Sequence, residues 1–497
     1  MELLNQLSRR QYIDGEWVNS SNKETRKIIN PYNQEVIFEV AEGTSKDSER
    51  AILAARSAFE GSEWSKETSE SRGKKVGAIA DLIVEHREEL ARLETLDTGK
   101  TLEESYADMD DIANVFNYFA GLADKNGGEM IDSPIPNTES KVIKEPVGVV
   151  TQITPWNYPL LQASWKIAPA LVTGCTLVMK PSEITPLTTI RVFELMEEVG
   201  FPKGVINLVL GKGSEVGEPL SSHKEVDLVS FTGGIQTGKH IMKQAANHVT
   251  NVALELGGKN PNIIFDDADF NLAVDQALNG GFFHAGQVCS AGARILVHND
   301  IKDKFESALV ERIKNIKLGD GFNPKTEMGP VISAEHREKI EKYMEVAKSE
   351  NATIAIGGKR PEREDLQDGF FFEPTVITDC DTSMRIVQEE VFGPVVTIEG
   401  FSTEAEAIEL ANDSIYGLAG GVFTSDIGKA ERVVNKLKMG TVWINDFHPY
   451  FAQAPWGGYK QSGIGRELGK EGLAEYQVEK HILRNTNPEP VNWFGKQ

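Results

Sequence analysis

Cys289 sits in the stretch FFHAGQVCSAGAR, where small neighbours leave room for a substrate to reach its sulfur. A thiol becomes a nucleophile when something nearby lowers its pKa or takes its proton. Without such a neighbour it is a small buried hydrophobe, the reading that suits Cys175 and Cys380. Glu255 ends the apolar run NVALEL, just ahead of two glycines. A carboxylate at the C-terminal edge of a strand faces the crevice where α/β sheets bind ligands, and desolvation there makes it a usable base near neutral pH. The alternative is a solvated loop charge. Asn157 follows Pro155 and Trp156 at the end of another apolar run. Its amide can donate to a developing oxyanion together with the backbone N–H of Cys289, a donor worth ~10²–10³ in rate, or it can close an Asx turn.

The elements that must position these groups alternate in type. GVVTQI, TLVMK, GVINLVL, VDLVSF and NVALEL read as strands buried on both faces of a parallel sheet, within a region from about 148 to 267. Between two of them Val192, Leu195, Met196 and Val199 recur at helical spacing, and Gly200 and Pro202 stop the helix. A second βα region from about 270 to 442 contains ARILVH, TIAIGG, VVTIEGF and TVWIND. The fold class is therefore α/β, with two doubly wound domains. GKGSEVG (Gly211, Gly213, Gly217) follows a strand and opens a helix, one residue too long for the dinucleotide fingerprint. FTGGIQTG repeats the pattern and offers a helix N-terminus to a pyrophosphate. The N-terminal third carries a long amphipathic helix with Ile79, Leu82, Ile83 and Leu90 on one face, and the late segment EYQVEKHILR alternates like a strand.

A chain of 497 residues exceeds one hydrophobic core. A net charge of −23 argues against nucleic acid as partner and weakly favours a cationic substrate. No apolar run is long enough to span a membrane and no secretory signal opens the chain, so the cytoplasm is expected. Three scattered cysteines exclude a disulfide scaffold and a zinc ribbon, and no H-E-x-x-H occurs.

Taken together, TPWNYP, VMKPSE, FTGG, ELGGKNP, GQVCS, EEVFGP and PWGGYKQSGIGRELG, in this order, resemble the aldehyde dehydrogenase superfamily from about Tyr12 to Leu483. The resemblance implies that Cys289 attacks an aldehyde to give a thiohemiacetal held by Asn157. Hydride transfer to nicotinamide then leaves a thioester, which water activated by Glu255 hydrolyses. Lys166 and Glu467 match proton-relay positions. Lys180 and Glu183 match the adenine-ribose pair, flanked by Pro181 and Ser182. Thr154, Pro155, Trp156, Gly213, Gly217, Phe231, Gly233 and Gly257 match further cofactor contacts, and Glu390 and Phe392 the nicotinamide-ribose end. Glu183 would accept from a ribose 2′-OH and repel a 2′-phosphate, so NAD is expected over NADP. Gly234 stands where the family usually has serine, which removes a hydroxyl near the pyrophosphate.

With YIDGEWV and ETLDTGK, the pattern resembles the bacterial betaine aldehyde dehydrogenases, which make the osmoprotectant glycine betaine from choline. Tyr158, Trp165, Phe283 and Trp456 would form aromatic walls for a quaternary ammonium, each contact worth ~0.5–2 kcal/mol, or belong to core or a plain apolar pocket. Val288 and Ser290 flank the sulfur, and His448 and Tyr450 would line the entrance. The resemblance also implies a monovalent cation, K+ or Na+, held by Ile28, Asp97 and Ile184, with a second site at Lys460 and Gly463. It implies a cofactor domain (1–126 and 147–267), a catalytic domain (268–474) and an oligomerisation arm (127–146 and 475–497) in a homodimer or homotetramer. Competing readings are an aminoaldehyde or aliphatic aldehyde enzyme, a hydrolase pairing Cys289 with His284, and a non-enzymatic structural relative.

Overall fold

Aliphatic strands buried on both faces need helices above and below them, and the chain supplies both. The computed structural model describes residues 2–61, 63–125, 127–491 and 493–494. Met1, Ser62, Asn126, Asn492 and 495–497, which the expected domain ranges include, lie outside the described residues. The first sheet has eight strands in the order Gly463–Ile464, Asn251–Glu255, Leu228–Thr232, Val149–Ile153, Thr176–Lys180, Ile206–Leu208, Gln11–Ile13 and Glu16–Val18. Neighbours from Asn251–Glu255 to Ile206–Leu208 run parallel, and the edges are antiparallel. From Val149–Ile153 the chain steps outward through Thr176–Lys180 and Ile206–Leu208, then returns to the other side of its starting strand. The loops after Ile153 and Thr232 therefore part and leave a crevice, the place where open α/β sheets take ligands.

Helix Leu187–Val199 buries Val192, Leu195 and Met196, as the periodicity predicts, and ends at Gly200 with φ +79°, a left-handed conformation that favours glycine. The long N-terminal helix differs from expectation. It is two helices, Ser69–Glu85 and Arg87–Thr98, meeting at His86, whose φ of −96° and ψ of 17° leave the helical range. Ile79, Ile83 and Leu90 are all buried, so a change of direction is compatible with one continuous apolar stripe.

The second sheet has seven strands, ordered Thr353–Ile356, Thr375–Thr378, Val395–Phe401, Arg294–His298, Pro261–Ile264, Ala419–Phe423 and Thr441–Ile444. All neighbours are parallel except the Thr353–Ile356 edge. Two boundaries are corrected. Pro261–Ile264, expected with the first region, pairs in the second sheet, so the chain crosses between sheets at 256–260. Gly463–Ile464 returns to the first sheet, antiparallel to Asn251–Glu255. Apolar runs on either side of Gly257 and Gly258 look alike in sequence, and only pairing separates them. A third sheet joins Gln477–Asn485, Thr138–Pro146 and Glu129–Ile131. No helix among the described residues is long and apolar enough to cross a membrane.

Candidate active site

The crevice contains a cavity of about 210 Å³. Asn157, Glu255 and Cys289 all line it, together with Pro155, Trp156, Tyr158, Gly233, Gly234, Gly257, Glu390 and Phe392. Residues far apart in sequence thus meet at the ends of two strands and one tight loop. That loop is costly: His284 and Ala285 both have positive φ, 48° and 54°, at about 1–3 kcal/mol for each strained residue. Glu104 Oε1 holds it by accepting from the His284 backbone N–H (2.9 Å), and Gln287 Oε1 accepts from Ile332 N–H (2.9 Å). Asn260 fastens the far side, its Nδ2 donating to the carbonyls of Cys289 (2.8 Å) and Ala291 (2.9 Å). Asn157 Nδ2 donates to the Gln287 carbonyl (2.8 Å). An amide nitrogen carries two hydrogens, so this bond orients Asn157 and leaves a second N–H for an oxyanion.

Burial pushes the Cys289 thiol up to about 12, aided by the charges of Glu255 and Glu390. Burial also holds Glu255 well above the usual carboxylate range, reinforced by Glu467 and opposed by Lys166. Both Glu255 oxygens are buried without a partner in the chain. Lys166 Nζ donates to Glu467 Oε1 at 2.5 Å, so the two relay positions form a buried ion pair beside Glu255. A Cβ on Gly457 would lie 2.9 Å from Glu255 Oε1; the glycine gives this carboxylate room.

The cofactor positions fall into two groups. Lys180 Nζ donates to Glu183 Oε2 (3.2 Å) and to the Pro181 carbonyl (2.8 Å). Ser182 is buried between them, Thr154 is buried with its N–H donating to the Lys180 carbonyl (3.1 Å), and Gly213 opens helix Gly213–Ser222, with Gly217 one turn in. The second group borders the cavity. Helix Ile235–Ala245 begins at Gly234 with no side-chain cap, and a Cβ there would meet nothing within 4 Å. Phe231 is buried, its ring end packed beneath Gly233. Glu390 Oε1 accepts from Gly258 N–H (2.9 Å), and burial lifts this carboxyl to about 7. Phe392, at φ 62°, lies edge-on to Trp156 at 5.3 Å. A cleft of about 560 Å³ continues past Trp156, His336 and Lys339. Open helix N-termini and a buried, unpartnered Thr232 hydroxyl fit a dinucleotide.

The aromatic positions form touching clusters. Trp165, Tyr450 and Trp456 pack edge-to-face with centroids 5.4–6.1 Å apart. Phe283, 37% exposed, stands 5.8 Å from His448, which lies 3.4 Å from the Ser290 hydroxyl. Val288 is buried beside the sulfur. Tyr158 packs on His284 at 5.3 Å. His284 makes no hydrogen bond to Cys289 among the described residues, and burial drives its pKa well down without giving it a role.

Several contributors went unread in the sequence: Trp443, 6.4 Å from Trp456; Gln162, Thr232, Leu256, His336 and Lys339 in the cavity wall; and Asp111, whose Oδ2 accepts from Tyr450 OH (2.8 Å). Burial raises the Tyr158 and Tyr450 phenols, and Asp108 and Asp111 add to it; Asp108 is itself paired with Lys100 Nζ (2.6 Å), which lies 4.4 Å from the Tyr158 ring centroid. The stretch DMDDIANVF, which sets Asp108 and Asp111 one turn apart on an apolar helix, held that signal. Of the cation positions, Asp97 has one oxygen accepting from Leu187 N–H (2.9 Å) and the other buried without a partner. Ile28 is buried and Ile184 borders the larger cleft. Lys460 Nζ donates to the carbonyls of Asn412 and Ser414 (2.7 and 3.0 Å), and Gly463 pairs with Glu255.

Residues 17–482 match the aldehyde dehydrogenase family. The chain is 66% identical to betaine aldehyde dehydrogenase of Bacillus subtilis over 98% of this chain and 100% of that one. It is 48% identical to aminoaldehyde dehydrogenase 2 of Zea mays, over 97% of this chain and 96% of that one. The crystal structure of betaine aldehyde dehydrogenase from Staphylococcus aureus in complex with NAD+ superposes with a TM-score of 0.99 at 83% identity, covering 100% of this chain and 98% of that one. With a cysteine, a carboxylate and an amide converging on one cavity, and with this breadth of likeness, the chain belongs to the aldehyde dehydrogenase family.

Proposed function

We propose that the chain oxidises betaine aldehyde to glycine betaine with NAD, the osmoprotectant-forming step from choline. The observation that carries this reading is the aromatic cluster of Trp165, Tyr450 and Trp456, with the Asp111 carboxylate behind the Tyr450 hydroxyl, on the side of Tyr158, which lines the cavity with Cys289 and Glu255. Aromatic faces with negative charge behind them suit a cation that cannot donate hydrogen bonds. Relatives at 66% and 83% identity are betaine aldehyde dehydrogenases, the second crystallised with NAD+.

Cys289 loses its proton towards Glu255 and adds to the aldehyde carbon; the oxyanion takes the free N–H of Asn157. When bound, the nicotinamide supplies the two-electron acceptor that converts this thiohemiacetal to a thioester. Lys180, Glu183 and Glu390 would hold the two riboses, and the open start of Ile235–Ala245 the pyrophosphate. Glu255 then takes a proton from water and passes it towards Lys166 and Glu467. Glu183 repels a 2′-phosphate, which favours NAD over NADP.

The same reading extends to a monovalent cation, K+ or Na+, satisfying the unpartnered oxygen of Asp97 with the carbonyls of Ile28 and Ile184, and to a second at Lys460 and Gly463. It divides the chain into cofactor, catalytic and arm units, the exposed Met130 and Leu483 of the arm facing a second copy. Three unpaired cysteines suit the cytoplasm.

The test compares betaine aldehyde with 3,3-dimethylbutanal, its neutral isostere, in the presence of NAD. A kcat/KM at least about tenfold higher for the cation is expected from one or two cation–π contacts. Equal values remove the charge-recognition argument, and a higher value for 3-aminopropanal favours an aminoaldehyde enzyme.

A further inference from the structure

We propose that Asn260 is a positioning residue for the nucleophile: its buried side-chain amide locks the turn that carries Cys289 and so aims that residue at the aldehyde carbonyl. Cys289 and Ser290 form the middle of a turn closed by Ala291 N–H, which donates to the Val288 carbonyl (3.0 Å). The Val288–Cys289 peptide is trans, so its N–H points away from that carbonyl; this is the N–H that would share an oxyanion with Asn157. The closing hydrogen bond leaves the next peptide, Cys289–Ser290, unfixed. Asn260 fixes it. Its Nδ2 donates to the Cys289 carbonyl (2.8 Å) and to the Ala291 carbonyl (2.9 Å). Its Oδ1 accepts from Ala419 N–H (3.0 Å), at the start of strand Ala419–Phe423. The amide's two hydrogens and its oxygen thus meet two carbonyls and one N–H, a match that the reversed amide could not make.

Asn260 is 2% exposed and not part of the cavity wall, so it reaches the reaction through Cys289. A Cβ on Gly258 would lie 2.7 Å from the Cys289 carbonyl oxygen and 2.5 Å from Asn260 Oδ1; the glycine leaves space for the contact. The turn is gripped from both sheets. Asn157, beyond Val149–Ile153, takes the Gln287 carbonyl on one flank (2.8 Å), and Asn260, just ahead of Pro261–Ile264, takes the other. A buried amide with every bond made holds one arrangement, and carbonyl addition needs one, with reacting atoms about 3–3.5 Å apart. As the C–S bond forms, the carbonyl π pair moves onto oxygen and the thiol proton passes towards Glu255. The charge gathering on oxygen is what the direction of the Cys289 N–H governs.

The inference rests on Cys289 as the nucleophile. Asn260→Leu matches the size of the side chain and removes all its hydrogen bonds. Asn260→Ala leaves a polar space that water can fill, satisfying the same groups without fixing them, and stands in if the leucine variant folds poorly. In both, kcat/KM for betaine aldehyde is expected to fall about 10- to 100-fold, with the Kd of NAD within about twofold of the parent. Two reactions without cofactor separate aim from integrity. Iodoacetamide alkylates a thiolate at a saturated carbon and needs no oxyanion donor, whereas p-nitrophenyl acetate acylates it through a tetrahedral oxyanion. With each adduct on Cys289 followed by mass spectrometry, alkylation is expected to stay within about threefold of the parent, while acylation falls with aldehyde oxidation. An unchanged kcat/KM in either folded variant overturns the inference. An equal fall in alkylation and acylation, or loss of NAD binding, also overturns it, since Asn260 would then only hold the site together. Failure of the parent itself to form an acyl adduct at Cys289 removes the underlying reading instead.

Discussion

Burial lifts the Cys289 thiol well above neutral pH, so Cys289 rests protonated and reacts only as its proton leaves. That puts the burden on Glu255. A carboxylate held above its ordinary range is protonated below that raised value, and only the deprotonated form is a base. The rate is therefore expected to fall as pH drops through a value above the usual carboxylate range. Glu255→Gln should lose that limb of the kcat–pH profile and lower kcat by ~10²–10⁴; a profile unchanged in shape would exclude Glu255 as the base. Cys289, Glu255 and Asn157 were legible because each sits in a short motif at a strand end or small-residue loop. Asn260 and Gln162 were not, although both lie inside quoted or adjacent stretches. A buried amide's task depends on which carbonyl or cavity lies opposite, and one-dimensional spacing carries no such information.

The elements do more than hold these side chains apart. Thr101 caps helix Leu102–Leu122 through a reciprocal box, its hydroxyl accepting from Glu104 N–H (3.2 Å) while Glu104 Oε2 accepts from Thr101 N–H (2.6 Å). The other Glu104 oxygen anchors His284 in the strained loop before Cys289. Thr101→Ala is expected to lower stability by ~1 kcal/mol, read as a lower urea midpoint at unchanged slope; no shift would mean that the box contributes nothing. The motif TLEE carries this signal openly in the sequence. The parallel strands and the Gly200 stop were equally readable, since both follow from local pattern. The break at His86 and the assignment of Pro261–Ile264 to the second sheet were not. Periodicity continues through the first, and strand pairing decides the second.

Across the whole molecule, two sheets meet where the chain crosses at 256–260 and returns at Gly463–Ile464, and Glu255 sits at that crossing. The acidic total of −23 keeps polyanions away, while within the site Asp111 accepts from the Tyr450 hydroxyl and Glu183 from Lys180. All of this converges on one covalent bond between Cys289 and the substrate. The most direct measurement is the absorbance of reduced cofactor with NAD and betaine aldehyde, for the parent and for Cys289→Ala shown by circular dichroism to be folded. Turnover by the parent and none above the uncatalysed background in the variant is the result expected. A folded variant that reduces cofactor at the parent's rate would contradict the account.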